Sequence, residues 1–378
     1  MSGPVPDAPT WAVIAGGGTA GHVLPGLSVA KELVDRGHDP ATIHFVGASR
    51  GIEAELVPAA GFGITLLPGR GVQRRLTWDN VGAVVGLLRA AVQAVGLVRR
   101  RRPSVVLALG GFASAAVSVA AVLWRVPLVV ADQNARAGAA NRLVARFAAA
   151  CAVPFPETDL PKAVVTGNPV RDEILAVAAE HDRDAARREL GLPTDRVLLV
   201  VFAGSLGARR LNRAVEGAVG SWSDRSDLAI HHVVGARDWD ARPELAPGRL
   251  DYRAVRYESR MPLVLAAADL VVCRSGGTTV AELAVIGVPS VLVPLPIATR
   301  DHQTANAGPL VRAGAAVLVP DDELDADRLV AEVDELLGGG PERLAAMSSA
   351  ARALGRPDAA HAVADLVESS ARDAGRAR

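Results

Sequence analysis

Three glycine-containing turns in this chain could bind an anion, because each follows an apolar run and precedes a segment with a helical pattern. They are AGGGTAGHVLPGL at 15–27, FAGSLGARRLN at 202–212 and CRSGGTTVAEL at 273–283. The free backbone N–H groups at the start of a helix and the positive end of its dipole favour phosphate and carboxylate groups. The three turns together predict an anionic ligand such as a diphosphate.

The first turn satisfies the spacing of a dinucleotide-binding loop through Gly16, Gly18 and Gly21. Such a loop also needs an acidic residue at the end of the second strand, where it holds the ribose diol. The corresponding stretch here is IHFVGASRG, which contains no acid, so the sequence argues against a nicotinamide or flavin cofactor. Neither of the other two turns carries the lysine of a Walker loop.

Polar side chains next to these turns could do chemistry on a sugar nucleotide. His22 stands at the entry to the first helix, where it is either a base or proton donor or a local cap. Glu282 lies one helical turn after Thr278, where a carboxylate can bridge the two hydroxyls of a ribose or simply face solvent. The segment DHQTANA then supplies a cluster suited to a polyol or to an ordinary loop: Asp301, His302, Gln303 and Asn306.

Strand-length apolar runs alternate with helix-length segments, which predicts an α/β protein with parallel sheets covered on both faces. The runs are Ala12–Ala15, Ile43–Val46, Val105–Leu109, Leu128–Ala131, Val164–Thr166, Val197–Phe202, Ile230–Val234, Leu270–Cys273, Ser290–Val293 and Ala315–Val319. The alternation of strand-like and helix-like segments is interrupted after residue 167. This interruption predicts two doubly wound domains, 1–166 and 167–356. The final segment, 357–378, is expected to form a helix that packs back on the first domain.

The composition limits the class of protein. The formal net charge is zero, which argues against nucleic-acid binding because that requires a basic excess. Cys151 and Cys273 lie in apolar runs, far apart, as core residues of a reducing compartment. The N-terminus has no secretory signal pattern. The uncharged stretch 105–123 has the length of a membrane span, but its Gly110-Gly111 pair predicts a strand, a turn and a helix instead.

At this point the motifs taken together resemble a known family, the MurG glycosyltransferases. The matching stretches occur in family order: GGGTAGHVLPGL, LGGFAS, DQNARAGAANR, TGNPVR, GSLGARRLN and CRSGGTTVAELAVIGVPSVLVPLP followed by DHQTANA. The resemblance covers about residues 11 to 355. It implies a GT-B fold, with two Rossmann-like domains and a cleft between them. It also implies inverting transfer of N-acetylglucosamine from UDP-GlcNAc to the muramoyl 4-hydroxyl of lipid I, which forms lipid II.

The resemblance also implies roles for particular residues. In the second domain, Ser205 contacts the diphosphate, Glu282 the ribose, Gln303 the GlcNAc hydroxyls and the backbone at Glu258 the uracil. The remaining donor-site residues of the second domain are Gly277, Thr278, Thr279, Val280 and Ala281. The first domain contributes Thr19, Ala20, Gly21, Asn134 and Arg171. The chain departs from the family pattern at Ala20, Ala131, Asp132, Leu206 and His302.

The reaction needs a group that takes the proton of the acceptor hydroxyl, and we expect His22 first and Asp132 second. Helix N-termini, Ser205 and Arg171 would stabilise the charge on the departing UDP. Two D-x-D patterns, DWD at 238–240 and DAD at 325–327, lie in polar segments typical of solvated carboxylates. We therefore expect no metal and no cofactor.

Lipid I is a membrane lipid, so the resemblance implies a peripheral protein on the cytoplasmic face of the bacterial cell membrane, alongside cell-wall synthesis proteins. Residues 69–102 alternate apolar side chains with arginines, among them Arg74, Arg75 and Arg89, and include Trp78. This pattern predicts a patch attracted to anionic lipids, or else a core-facing helix with basic ends.

Three other functions share part of this pattern. A GT-B transferase that modifies a small aglycone has the same donor loops, and an acceptor assay distinguishes it. A UDP-GlcNAc epimerase would release UDP without an acceptor. A non-enzymatic nucleotide-sugar binder is disfavoured by the number of matched polar positions.

Overall fold

The computed structural model describes residues 10–49, 51–68, 79–204, 206–246 and 248–372. The chain divides into two compact units. The first runs to Arg171 and also contains the segment from Pro357, and the second covers Asp172–Arg356.

Each unit is built on one parallel β-sheet. The first sheet has the order β3-β2-β1-β4-β5-β6-β7 and the second β10-β9-β8-β11-β12-β13. The strands are β1 Ala12–Gly16, β2 Ile43–Ala48, β3 Gly63–Leu67, β4 Val105–Gly110, β5 Leu128–Ala131, β6 Ala150–Val153, β7 Ala163–Val165, β8 Val197–Phe202, β9 Leu228–Val233, β10 Asp251–Val255, β11 Leu270–Cys273, β12 Ser290–Leu292 and β13 Ala316–Leu318. The predicted class of two doubly wound parallel-sheet domains is confirmed.

Helices connect the strands, as parallel pairing requires. They are α1 Ala20–Asp35, α2 Glu53–Ala59, α3 Asp79–Arg101, α4 Gly111–Leu123, α5 Ala139–Ala145, α6 Asp172–Glu180, α7 Arg183–Leu190, α8 Arg209–Ser221, α9 Met261–Ala267, α10 Gly277–Ile286, α11 His302–Arg312, α12 Ala326–Gly338, α13 Gly340–Leu354 and α14 Ala359–Ser370. Local side chains begin two of them, since Asp182 caps α7 and Asp325 caps α12.

All ten predicted strands are present, with ends that differ by at most two residues. Three further strands were missed: β3, β6 and β10. Strands β3 and β10 lie at sheet edges and are only partly buried, so their sequences lack a continuous apolar run. Strand β6 is a four-residue segment rich in alanine. The stretch 105–123 forms β4 and α4 as expected.

Both faces of the first sheet are covered by helices. One core contains β-strand residues together with side chains from α3, α4 and α5. The core on the other face includes residues from α1, α2 and α14. Helix α14 is also joined to α1 by ion pairs, in which Arg36 contacts Asp365 and Glu368 at 2.7 and 2.6 Å. The C-terminal helix therefore belongs to the same unit as α1.

Among the residues that the structure describes, no helix combines the length and the apolar character needed to cross a bilayer.

Candidate functional site

The strand order locates a ligand-binding edge in each sheet. The direction of winding reverses between β1 and β4 in the first sheet and between β8 and β11 in the second. Ligands of doubly wound folds bind outside the carboxyl ends of the strands at such a reversal. The turn after β1 contains the first glycine motif, and the turns after β8 and β11 contain the other two. All three sequence motifs therefore lie at reversal points.

In the first unit, the turn after β1 is accessible to a ligand. Gly18, Thr19 and Ala20 are exposed, and Gly21 and His22 are half-buried. Helix α1 begins at Ala20, and its N-cap Thr19 makes no side-chain capping bond. The first N–H groups of α1 therefore face an open position at the end of the sheet.

His22 lies in this first helical turn, with its side chain held by Thr19. The Nδ1 atom is 3.1 Å from the Thr19 hydroxyl. If Nδ1 carries the proton and donates it to Thr19, the lone pair is on Nε2, which is the form that can act as a base. This contact can therefore fix the tautomer that the predicted role needs.

The turn between β4 and α4 leaves room for the His22 side chain. Gly110 and Gly111 both have positive φ, 102° and 83°. A Cβ at Gly110 would lie 3.2 Å from the His22 Nε2 and 3.4 Å from the Asn141 Nδ2. Only glycine combines this backbone conformation with room for both side chains.

Asp132, the second base candidate, is 5% exposed and surrounded by donors. Its Oδ1 accepts the N–H of Asn134 at 3.0 Å. Its Oδ2 accepts the N–H of Gly138 at 2.9 Å and the side-chain amide of Asn141 at 2.8 Å. Both carboxylate oxygens are thus engaged in fixing the loop between β5 and α5, an arrangement typical of a structural carboxylate.

The other two predicted site residues of the first unit, Asn134 and Arg171, lie in separate segments of the chain. Asn134 is half-buried in the loop that Asp132 fixes. Arg171 is half-buried and is the last residue of the unit before α6.

In the second unit, the turn after β8 presents Gly204 and Leu206, both exposed. Ser205, the predicted diphosphate contact, lies outside the described residues. Gly207 donates its N–H to Gly204, which closes the turn just before α8.

Asn212 anchors this turn through a polar network. Its Nδ2 donates to the carbonyl of Val234 and to Asp238 Oδ2, both at 3.0 Å. The Oδ1 must then face His232, whose Nε2 is 3.1 Å away. Consequently Nε2 carries the proton, and His232 Nδ1 accepts the Tyr252 hydroxyl at 2.9 Å. Burial lowers the pKa of His232 to about 4, so the ring is neutral at physiological pH.

The turn after β11 leads into α10, whose N-cap is Gly276. The predicted donor-site residues form the first two turns of this helix. Gly277, Val280 and Glu282 are buried, and Thr278, Thr279 and Ala281 are half-buried. Glu282 is 7% exposed, so the alternative of a solvent-facing helix charge is wrong. A buried carboxylate at this position can bind neutral hydroxyl groups, as the ribose contact requires.

Arg274 and Asn306 hold the start of α10 in place. Arg274 donates to the carbonyls of Val293 and Pro294 at 3.1 and 3.0 Å and pairs with Asp321 at 2.6 Å. Asn306 is fully buried and donates to the Ser275 carbonyl at 3.1 Å. These bonds connect α10 to the loop after β12 and to α11.

Gln303 belongs to α11, which follows a strained segment. Its Oε1 accepts the N–H of Leu295 at 2.9 Å, so the side chain already supports the loop after β12. Arg300 and Asp301 both adopt left-handed conformations, with φ of 57° and 54°. Two consecutive non-glycine residues of this kind cost about 1–3 kcal/mol each, and such strain is concentrated at binding sites.

Glu258 follows the edge strand β10 in the loop that leads to α9. Its Oε1 accepts the N–H of Arg260 at 2.8 Å, and its Oε2 is 3.5 Å from the Nε2 of the buried His231. Desolvation lowers the pKa of His231. The carboxylate therefore points into the protein, where it is engaged with Arg260 and His231.

The acidic patterns at 238–240 and 325–327 have structural partners: Asp238 holds Asn212, and Asp325 accepts the N–H of Arg328 as the cap of α12. Within the described ranges, no group of three or more histidine, cysteine or acidic side chains is arranged to bind a metal ion.

Sequence reasoning assigned no role to several residues that organise these turns: Glu53, Asn141, Asn212 and Arg274. Three of them were visible within the quoted motifs. Asn212 follows the glycines of its motif and bonds Val234 and Asp238, whereas Arg274 precedes its glycines and bonds Val293 and Pro294. Asn141 bonds Asp132 of its own motif. Only the fold reveals these bonds.

Comparison with known proteins adds independent observations. The profile of the glycosyltransferase family 28 N-terminal domain matches residues 12–153, and that of the C-terminal domain matches residues 198–363. The chain is 40% identical over 370 residues to a protein of Desulforudis audaxviator, covering 94% of this chain and 97% of that one. That relative is named UDP-N-acetylglucosamine–N-acetylmuramyl-(pentapeptide) pyrophosphoryl-undecaprenol N-acetylglucosamine transferase.

Solved structures agree with this likeness. Acinetobacter baumannii MurG superposes with a TM-score of 0.76 at 28% identity, covering 96% of this chain and 100% of that chain. The UDP-GlcNAc 2-epimerase of Neisseria meningitidis gives a TM-score of 0.67 at 15% identity, covering 95% and 99%, and shares the fold alone.

Proposed function

We infer that this chain, which belongs to glycosyltransferase family 28 and within it to the MurG enzymes, transfers N-acetylglucosamine from UDP-GlcNAc to N-acetylmuramyl-(pentapeptide) pyrophosphoryl-undecaprenol. The observation that carries this conclusion is full-length similarity, joined to the presence of glycine turns at both sheet reversals. The enzyme is a hexosyltransferase of the GT-B class.

We propose that the second unit binds UDP-GlcNAc. The N-terminus of α10 faces the carboxyl end of β11 and offers N–H groups to the diphosphate. Buried Glu282 accepts the ribose hydroxyls, and the backbone beside Glu258 contacts uracil. Gln303 contacts the GlcNAc hydroxyls through its amide nitrogen, because its oxygen accepts the N–H of Leu295.

His22 is the proposed base for the acceptor 4-hydroxyl. Its Nδ1 contact with Thr19 supports the tautomer with a lone pair on Nε2. As the hydroxyl oxygen forms its bond to the anomeric carbon, Nε2 takes the proton, and the bond to UDP breaks with inversion. Asp132 is the weaker candidate, because its carboxylate is 5% exposed and both of its oxygens already accept hydrogen bonds within the loop between β5 and α5.

We propose that helices α3, α4 and α5 contact anionic lipid. They cover one face of the first sheet and expose apolar side chains: Val92 at 72%, Val119 at 43%, Leu123 at 63%, Trp124 at 41%, Leu143 at 58% and Phe147 at 56%. Basic groups accompany them, with Arg99 5.4 Å from the Trp124 ring centroid and Arg146 5.0 Å from that of Phe147. Aromatic side chains next to cations are typical of interfacial surfaces.

This surface overlaps the one expected from sequence, since Val92 and Arg99 lie within 69–102. Residues 69–78, which include Arg74, Arg75 and Trp78, lie outside the described residues. The other supporting side chains belong to α4, α5 and the residues that directly follow them. Contact with the cytoplasmic face of the membrane and with cell-wall synthesis proteins stays part of the proposal.

The decisive experiment incubates labelled UDP-GlcNAc with a short-chain analogue of the acceptor lipid. UDP-GalNAc and an acceptor-free reaction serve as controls, and the configuration of the new glycosidic bond is read by NMR. We expect a product only with UDP-GlcNAc and acceptor, with inverted configuration. Release of UDP or isomerisation of the sugar without acceptor would instead identify an epimerase.

The base is tested by His22→Ala, which should lower kcat by about 10²–10⁴-fold. The matched control is His181→Asn, since His181 is exposed and asparagine tolerates its positive φ of 51°. Equal kcat values for the two variants would exclude His22 as the base.

A further inference from the structure

Glu53 is a carboxylate buried in the first unit, next to the turn that carries His22. It is the first residue of α2 and is 1% exposed. Three glycines make room for it. A Cβ on Gly17 would lie 2.1 Å from its Oε1, one on Gly51 would lie 1.9 Å from its Oε2, and one on Gly47 would lie 2.4 Å from its Cγ. The surrounding sequence is therefore shaped to hold this carboxylate.

The hydrogen bonds that the structure gives Glu53 come from backbone N–H groups. Oε1 accepts the N–H of Ala48 at 2.7 Å. Both oxygens lie 3.1 Å from the nitrogen of Gly18, which donates to the pair. Glu53 thus joins the end of β2 to the glycine turn after β1.

This arrangement places an internal anion where a phosphate would be expected. Backbone N–H groups in a glycine-rich turn form a concave site for anions. Here the Gly18 N–H already points at a carboxylate of the protein itself. A phosphate at the turn would lose this donor and would also approach a negative charge, which opposes binding.

The bond has a direct connection to the proposed base. Gly18 precedes Thr19, which caps α1 and contacts His22 Nδ1 at 3.1 Å. The carbonyl of Thr19 also accepts the N–H of His22 at 3.1 Å. A turn that is fixed at Gly18 therefore fixes the residue that orients the imidazole.

We propose that Glu53 is a positioning residue: its bonds to the Gly18 N–H fix the first glycine turn, so that the turn holds Thr19 and His22 for proton transfer. This role rests on the proposed function, because it serves the base of that reaction. Displacement of a base by about 1 Å costs on the order of 100-fold in rate.

The test compares Glu53→Gln with Glu55→Gln. The glutamine at 53 keeps the shape. With its oxygen in the place of Oε1 it still accepts from Ala48, while its NH₂ group takes the place of Oε2 and faces the Gly18 N–H. Glu55 is exposed on the same helix. We expect Glu53→Gln to lower kcat by about 10- to 100-fold, with the KM for UDP-GlcNAc changed by less than about twofold. Hydrogen exchange at Gly18 should accelerate by more than about tenfold, as expected for an amide whose acceptor is weakened, and exchange at Ala48, which keeps its acceptor, should change by less.

Two results would overturn the proposal. The first is a Glu53→Gln protein that matches Glu55→Gln in both kcat and exchange. The second is a joint loss of kcat, donor binding and melting temperature, which would mean that Glu53 supports the fold as a whole. Failure of the proposed function is distinguishable, because wild-type protein would then lack transferase activity while the exchange comparison still reports on the turn.

Discussion

Replacement of Asp132 by asparagine tests whether this carboxylate stabilises the fold or takes part in catalysis. The asparagine can turn its amide so that the oxygen takes the place of Oδ2 and still accepts from Gly138 and Asn141. Its NH₂ group then faces the N–H of Asn134. One bond to a charged acceptor is lost, which costs about 1.5–3 kcal/mol, and the two bonds that remain are made to a neutral acceptor and are weaker.

The lost bond and the weakening of the other two together cost about 3 kcal/mol, and neighbouring bonds of this kind are not strictly additive. We expect the free energy of unfolding of the first unit to fall by about 3 kcal/mol. With a urea m-value of about 3 kcal/mol/M, the midpoint falls by about 1 M. Circular dichroism at increasing urea concentration measures this change.

Asp35→Asn is the matched control, since Asp35 is exposed at the end of α1 in the same unit. Neutralising an exposed carboxylate of this kind changes the stability by less than about 1 kcal/mol. A structural role for Asp132 is refuted if Asp132→Asn unfolds at the wild-type midpoint while its kcat drops by three orders of magnitude or more. That result would make Asp132 the base.

Three further outcomes are expected. The hydrogen bond from Arg36 lowers the pKa of Glu32 below its ordinary 4.5, so this carboxylate stabilises the fold above that pH and the contribution is lost as the pH falls through the lowered value. Melting temperatures recorded from about pH 6 to about pH 3 should therefore fall less steeply in Arg36→Met than in wild type, and parallel curves would contradict this. Glu282→Gln should weaken UDP binding by about 10- to 100-fold in calorimetry, yet leave 2′-deoxy-UDP nearly unaffected; an equal loss for both ligands would place Glu282 away from the ribose. Trp124→Ser should reduce co-sedimentation with anionic vesicles by about tenfold, whereas Leu354→Ser, on the second unit, should not, and equal binding of the two would remove this surface from the proposal.

In the first sheet, burial explains which strands were predicted, with two exceptions: the exposed edge strand β7 was found because its sequence is apolar, and the interior strand β6 was missed. Strands β1 and β4 are buried on both faces, so every position must be apolar or small and the run is continuous. Strand β3 has only one neighbour and tolerates exposed residues, which removes the signal. The apolar runs also pause where the chain passes from one sheet to the next, and the predicted domain boundary rests on this pause.

The choice between the two candidate catalytic bases depends on hydrogen bonds that the sequence does not reveal. His22 and Asp132 are both titratable residues beside glycine turns, and the sequence ranked them only by residue type. The structure adds that Asp132 accepts three hydrogen bonds, two of them from Gly138 and Asn141. Whether a carboxylate is available for proton transfer depends on these partners, which come from the folded loop.

The amino-acid sequence by itself determined the two-sheet architecture and the positions of the three glycine turns, because hydrophobic period and glycine placement are local properties of the chain. The tertiary structure alone decided which polar groups are already engaged. Glu53 is 35 residues from Gly18 along the chain, and no local pattern predicts their bond. Partners of this kind are fixed by strand order and register, since parallel pairing brings the carboxyl ends of sequence-distant strands to one edge of the sheet.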